Sequence, residues 1–326
     1  MAQPHAVSAL DPVMDAFLAG AGWADAEAEP LSGDASFRRY FRVRGGQGTA
    51  MLMHAPPPQE DIAPFVHVGT WLCAQGLRAP RILAQDPLHG FLLLEDFGDI
   101  RLKEHVEQEG PDAERAAYAQ AVDTLVRLQN CGPGPFASYD GDVLMREVDL
   151  FLAWYCRNAH HLDTSGWTAS WSRVLEPILA PSAHRVTVLR DYHAENIMVL
   201  PDGSQGLIDF QDALAGHPAY DLVSLLQDAR RDVEPELEEA MIARFMDATG
   251  QDDGFRAAYA VLGAQRNAKI IGIFSRLARR DAKPRYLDLI PRVGALLARD
   301  LAHPALEPVA EWMARNLDAA FPTGGA

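Results

Sequence analysis

Between residues 187 and 228 the chain reads TVLRDYHAENIMVLPDGSQGLIDFQDALAGHPAYDLVSLLQD. Four polar residues are set among its short apolar runs: Asp191, Asn196 five residues on, Asp209 thirteen further, and Asp221 after a Gly216-His217-Pro218 turn. The runs 185–189, 196–200 and 206–210 have the length of short strands. Asp191 is therefore expected in a loop leaving a strand, with Asn196 and Asp209 flanking a hairpin. An amide oxygen and a carboxylate on neighbouring strands suit a hard cation such as Mg²⁺, which takes one or two carboxylates plus phosphate oxygens. An acid just before them is placed to orient a hydroxyl for attack on a metal-bound phosphate. Taken singly, each residue is as readily a turn former. The joint pattern D-x-H-x-x-N, I-D-F and G-x-P-x-x-D-L points to phosphoryl transfer.

The remainder divides by texture. Residues 11–22 (DPVMDAFLAGAG) predict a helix with Asp11 as N-cap and Pro12 at its first position. Residues 30–54 read as a turn, a strand through Phe41 and Val43, a Gly-rich hairpin and a strand at Met51–Met53. A short helix over about 60–75 and an apolar strand at 91–95 follow. Beyond Gly98 the periodicity is mostly helical, at 112–130, 142–160, 219–231, 235–249, 254–278, 284–302 and 305–320. The expected fold class is α+β, with a small β-rich lobe at 1–97 and a larger helical lobe at 98–326.

Charge and length exclude several classes. With 29 Lys and Arg against 45 Asp and Glu, the net charge is −16. That balance argues against a nucleic-acid or anionic-membrane partner, whose footprints are basic. No apolar run approaches the ~18 residues that span a bilayer. No Lys or Arg precedes Arg38, and the three cysteines lack C-x-x-C spacing. The expected location is the cytoplasm.

The 187–228 pattern and the order of the lobes resemble the aminoglycoside phosphotransferase and choline-kinase-like superfamily, which shares the protein-kinase bilobal fold. The resemblance implies ATP and Mg²⁺ bound between the lobes, Asp191 as catalytic acid, and Asn196 and Asp209 as metal ligands. It makes Asp221 a buried brace of the loop. His193 matches the second histidine of the usual H-x-D-x-H-x-x-N motif, whose first histidine is here Leu189. The strings SGDASFRRYFRV, MLMHAPPPQED, LLLEDFGD, LRDYHAENIMVL, IDFQDAL and QRNAKIIGIFSRL resemble, more narrowly, the anomeric N-acetylmuramate/N-acetylglucosamine kinases of bacterial cell-wall recycling. Such enzymes phosphorylate an amino sugar at its C1 hydroxyl.

One departure stands out. Kinase folds carry a small-lobe lysine that pairs with the nucleotide phosphates. The only lysines here are Lys103, Lys269 and Lys283, and the expected position falls near Met53. Arg38, Arg39 or Arg42 is expected to supply the charge, since guanidinium binds phosphate bidentately. Arg39 is counted among the nucleotide contacts with Gly33 and Ser36 of the GDAS turn and with Glu95 and Phe97 of the hinge.

Residues 266–292 hold eight basic residues against Asp281 and Asp288. Arg266 or Lys269 is expected to hold the lactyl carboxylate of N-acetylmuramate, because charge-assisted hydrogen bonds are strong. His193, Asp212, Glu147, Phe151 and Trp154 complete the expected sugar contacts, the last two as stacking rings. Two rivals remain: a kinase for another small alcohol (an aminoglycoside, choline or homoserine), and a nucleotide-binding pseudokinase regulator.

Overall fold

Two facing runs, RYFRVRG and GTAMLMH, are joined by a two-residue turn, and their alternation decides the first layer. In the computed structural model, which describes residues 12–31, 37–156, 162–180 and 183–317, a helix α1 (Pro12–Gly20) precedes five strands of one antiparallel sheet. These are β1 (Glu27–Pro30), β2 (Arg39–Gly45), β3 (Gly48–His54), β4 (Ile82–Asp86) and β5 (Phe91–Glu95), in the spatial order β1-β2-β3-β5-β4. Helix α2 (Ala63–Ala74) lies between β3 and β4 in sequence. The register pairs Phe41 with Leu52 and Leu52 with Leu93, so one sheet face carries Val43, Ala50, Leu52, Phe91 and Leu93 against Met14, Leu18 and Trp23. Strands β1 and β4 were not expected: EAEP and ILAQD are short, and β1 pairs only with β2.

The first compact unit spans residues up to Ile100 and takes in Met198–Asp212 as well. Inside it Arg42 is buried and fully engaged. Its guanidinium donates to Asp96 at 2.8 and 3.1 Å, to Asp99 at 2.7 and 2.8 Å and to the Gly98 carbonyl at 3.1 Å. This pins the turn after β5 to the middle of the sheet, and it removes Arg42 from the candidates for the missing lysine.

The second unit, Arg101–Ile197 with Ala213 onward, is mostly helical. Its helices are α3 (Leu102–Glu109), α4 (Pro111–Asn130), α5 (Gly141–Leu150), α6 (Thr164–Leu179), α7 (Ala219–Leu226), α8 (Pro235–Thr249), α9 (Gly254–Arg280), α10 (Ile290–Leu301) and α11 (Glu307–Asn316). Four three-residue strands interrupt them in sequence: β6 (Val186–Val188), β7 (Ile197–Val199), β8 (Gln205–Leu207) and β9 (Leu214–Gly216). β6 pairs with β9, and β7 pairs with β8. No helix among the described residues is long and apolar enough to cross a membrane.

Several helix boundaries differ from expectation. The predicted helix at 142–160 stops at Leu150 and continues as a π-helical turn, Phe151–Tyr155. That at 284–302 opens with a 3-10 turn, Pro284–Leu289, and 219–231 ends at Leu226. Helix α6 went unread because TSGWTASWSRVLEPIL is poor in helix formers and contains Pro177. Tertiary burial of Trp167 and Trp171 holds it, with Asp163 capping the Gly166 N–H at 2.9 Å.

The π turn lies against α9, the long central helix, at a glycine. A Cβ at Gly272 would stand 2.4 Å from the Leu150 carbonyl carbon. Gly272→Ala is therefore expected to destabilise the chain by about 1–3 kcal/mol, the usual cost of overpacking. Thermal unfolding should show it as a lowered Tm.

Candidate active site

The loop after β6 owes its shape to a buried acid. Asp221, in the first turn of α7, accepts the Leu189 N–H at 2.6 Å and the Arg190 N–H at 2.8 Å. Burial pushes its carboxyl up to about 7, although these two donors pull the other way. Ser224 Oγ donates to the Arg190 carbonyl at 3.3 Å, and Arg190 adopts φ 74°. A left-handed non-glycine residue persists only where its surroundings over-determine it. Tyr192 then anchors the loop, donating its hydroxyl to the Ala121 carbonyl of α4 at 2.8 Å. The bracing expected of Asp221 is thus present, and Leu189, in place of the motif's histidine, contributes its backbone N–H to it.

Asp191 is left half-buried on this loop. Burial acts to raise its carboxyl, but Lys269, Arg266, His193 and Arg190 together hold it below the ordinary carboxylate value. It is ionised at neutral pH. Asn196 closes the following 3-10 turn (Ala194–Asn196), its Nδ2 donating to the Asp191 carbonyl at 2.9 Å. His193 is buried beside it, with Nε2 3.4 Å from Asn196 Nδ2 and 3.5 Å from Arg230 Nη1. Burial lowers its imidazole to about 4. The ring expected to touch the sugar is thus buried next to Asn196 and Arg230.

In the first unit, Asp209 follows β8 with φ 58°, exposed, and accepts from Gln211 Nε2 at 3.0 Å. Its neighbour Phe210 is buried against Phe65, ring centroids 4.8 Å apart, which fixes this second left-handed residue. Among the described residues no group of three or more His, Cys, Asp and Glu forms a metal cage. Magnesium does not need one. The carboxylate of Asp209 in the first unit and the amide oxygen of Asn196 in the second are each a hard oxygen donor of the kind magnesium takes alongside substrate phosphates.

The expected nucleotide contacts fall out unevenly. Gly33 and Ser36 lie outside the described residues. Glu95 is held in an ion pair with Arg78 at 2.6 Å and with Arg81 at 3.2 Å, and Arg78 pulls its carboxyl down to about 2. Phe97 is buried with Met198 and Leu200, and the Arg78 guanidinium lies 4.8 Å from its ring centre. Both side chains are engaged within the first unit, and the adenine contact expected of this hinge is one that backbone groups make. Arg39 is exposed, with Nη2 2.8 Å from His54 Nδ1, and Met53 is fully buried core. Arg38 instead pairs with Glu60 at 3.2 Å, both side chains mostly buried. Nearby Tyr40 is raised to about 12 by burial and by the charge of Asp209, with Arg38 acting the other way. Arg38, Tyr40, Glu60 and Asp209 therefore share one electrostatic neighbourhood, which alternation along β2 could only half reveal.

The sugar contacts are also redrawn. Phe151 is fully buried, stacked on Trp167 at 5.6 Å and Tyr155 at 5.2 Å, so it is core and not a sugar platform. Trp154 is partly exposed, and its carbonyl accepts from Arg279 at 2.8 Å. Asp212 is exposed. Glu147 is a buried hub: it pairs with Lys269 at 2.8 Å and with Arg190, and it accepts from the Tyr139 hydroxyl. Four donors around one carboxylate, Gln265 included at 3.5 Å, correct its expected role from sugar acceptor to organiser of the cations near Asp191. Arg190, adjacent to Asp191 in sequence, was legible as a candidate and was passed over; Tyr139 and Tyr220 gave no sequence signal.

A half-buried histidine at the Gly-His-Pro turn carries a pH signature. His217 accepts the Ala219 N–H at 3.2 Å, and burial lowers its imidazole to about 4. The unfolded chain, near 6.5, binds the proton first. This contribution to stability is present above pH 6.5 and lost as pH falls toward 4. Urea denaturation from pH 7 to pH 4.5 should show a fall in stability that His217→Asn makes shallower by up to about 1 kcal/mol per pH unit.

Comparison with known proteins identifies the family of the chain. The profile described as the phosphotransferase enzyme family matches residues 27–261. The chain is 38% identical to an N-acetylmuramate/N-acetylglucosamine kinase of Caulobacter vibrioides, over 92% of this chain and 94% of that one. It is likewise 38% identical to the protein of that name from Pseudomonas aeruginosa, over 94% of each. Among solved structures it resembles the choline kinase LicA of Streptococcus pneumoniae, with TM-score 0.64, 11% identity, and coverage of 88% of this chain and 98% of that one. It also resembles an aminoglycoside phosphotransferase of Streptomyces rimosus, with TM-score 0.56, 20% identity, and coverage of 80% and 99%. The fold is protein-kinase-like, and the chain belongs to the phosphotransferase enzyme family.

Proposed function

We propose that this protein is an ATP-dependent kinase that phosphorylates the anomeric C1 hydroxyl of N-acetylmuramate and N-acetylglucosamine in the cytoplasm, within cell-wall recycling. The observation that carries the chemistry is Asp191, ionised and held on a loop braced by Asp221. Full-length kinship to relatives named for these two sugars supports the acceptor.

In this reading Asp191 accepts a hydrogen bond from the C1 hydroxyl, aims its oxygen at the γ-phosphorus, and takes the proton at or after a loose transition state. Asn196 and Asp209 are the residues that would hold magnesium. When bound, that ion neutralises charge on the phosphate oxygens. Arg38, steadied by Glu60, takes the place of the missing lysine and offers a planar fork to phosphate. Lys269, Arg266 and Arg190 around Asp191 disfavour the cationic acceptors of choline-kinase-type enzymes.

The decisive assay supplies Mg-ATP with N-acetylmuramate, N-acetylglucosamine, glucosamine, choline or kanamycin, follows ADP, and examines products by phosphorus NMR. A C1 phosphate on the N-acetylated sugars is expected. Turnover confined to another alcohol would replace the acceptor, and nucleotide binding without any turnover would favour a regulator. Asp191→Asn is expected to lower kcat by about 10²–10⁴-fold while ATP binding, read by calorimetry, is retained. Arg38→Met should raise KM for ATP and leave KM for the sugar unchanged, with Arg38→Lys restoring part of the loss.

A further inference from the structure

The basic run at 266–292 does not act as one surface. Arg279 donates to the Trp154 carbonyl, Arg280 pairs with Asp281, and Arg292 pairs with Asp232. Lys269 and Arg266, one turn apart on α9, are different. Lys269 Nζ donates to Glu147 at 2.8 Å and to the Tyr220 hydroxyl at 3.3 Å. An ammonium has three donors, so a third remains for a guest. Glu147 is also the partner of Arg190, which leaves two cations sharing one carboxylate. Arg266 is 4% exposed, and its buried Nη1 has no hydrogen-bond partner among the described residues. A charged donor left so is costly unless something completes it. Both cations act on Asp191, the acid that faces the acceptor hydroxyl in the reading above.

We propose that Lys269 and Arg266 form an anion subsite beside Asp191 that receives the lactyl carboxylate of N-acetylmuramate. The subsite favours that acid over neutral N-acetylglucosamine and refuses cationic alcohols. This rests on the sugar-kinase reading. The lactyl group hangs from O3, on the same ring as the C1 hydroxyl, so its carboxylate stays within reach of a site adjoining Asp191. Glu147 has a part too: it keeps Lys269 extended over the Tyr220 ring, at 5.9 Å from its centre, and leaves the ammonium only partly neutralised.

The first test uses the unaltered chain with N-acetylmuramate, its neutral carboxamide analogue and N-acetylglucosamine as acceptors. The expected kcat/KM for the acid is roughly ten- to hundredfold above that for the carboxamide, the range of one charge-assisted hydrogen bond. Equal turnover of acid and carboxamide would overturn the subsite and leave the kinase reading standing. Phosphorylation of none of the three would remove the kinase reading and the subsite with it. The second test uses Lys269→Met and Arg266→Met. Each should lose far more activity on N-acetylmuramate than on N-acetylglucosamine, whose turnover also reports a folded enzyme, and Lys269→Arg should recover part of the difference. Equal losses on both sugars would make these cations structural and overturn the proposal.

Discussion

A single buried carboxylate sets the geometry of the loop that carries Asp191. Asp221 takes the N–H groups of Leu189 and Arg190, and with both donors engaged the chain turns sharply at Arg190. That turn presents Asp191 on one side and sends the Arg190 side chain to Glu147 on the other. Asn196 then reads the position of Asp191 through its carbonyl. Losing the Asp221 acceptor would leave two buried donors unpaired, which is among the more costly local defects a fold can carry.

Electrostatics in this chain run against its overall sign. A chain with a net charge of −16 has an interior in which the charges of Lys269, Arg266 and Arg190 all act on Asp191. Glu147 makes that gathering tolerable, since buried cations need compensating charge and full hydrogen bonding. The first unit repeats the arrangement with opposite emphasis: one cation, Arg42, is held by Asp96 and Asp99.

How much of this was legible follows from what sequence encodes. Asp191, Asn196 and Asp209 stood out because residue type and spacing coincide there in one joint pattern. The β2–β3 hairpin and helices α4, α8 and α9 were readable because burial imposes a period of two or of 3.6 residues. Helix α6 was not, because its stability comes from distant partners of Trp167 and Trp171 and not from its own propensities. Glu147 and Phe151 were misjudged for the same reason. An acid and an aromatic on one helix face look like a sugar site until their partners, Lys269, Arg190 and Trp167, are supplied by segments elsewhere in the chain. The three arginines Arg38, Arg39 and Arg42 look alike in sequence and differ only in their partners, Glu60, His54 and Asp96.

The first compact unit is discontinuous in sequence, because Met198–Asp212 belongs with residues up to Ile100. Phe97 packs on Met198 and Leu200, and its ring fills the space that a side chain at Gly206 would need. The Ile100 carbonyl accepts the Val199 N–H, and the Arg78 carbonyl accepts that of Leu207. A fragment ending near residue 100 would therefore carry an apolar scar and orphaned carbonyls where the hairpin belongs. Recombination between relatives that swaps the front of the gene alone separates Phe97 from the residues shaped to receive it. In this protein the natural unit of exchange includes both stretches, which are inherited as a pair.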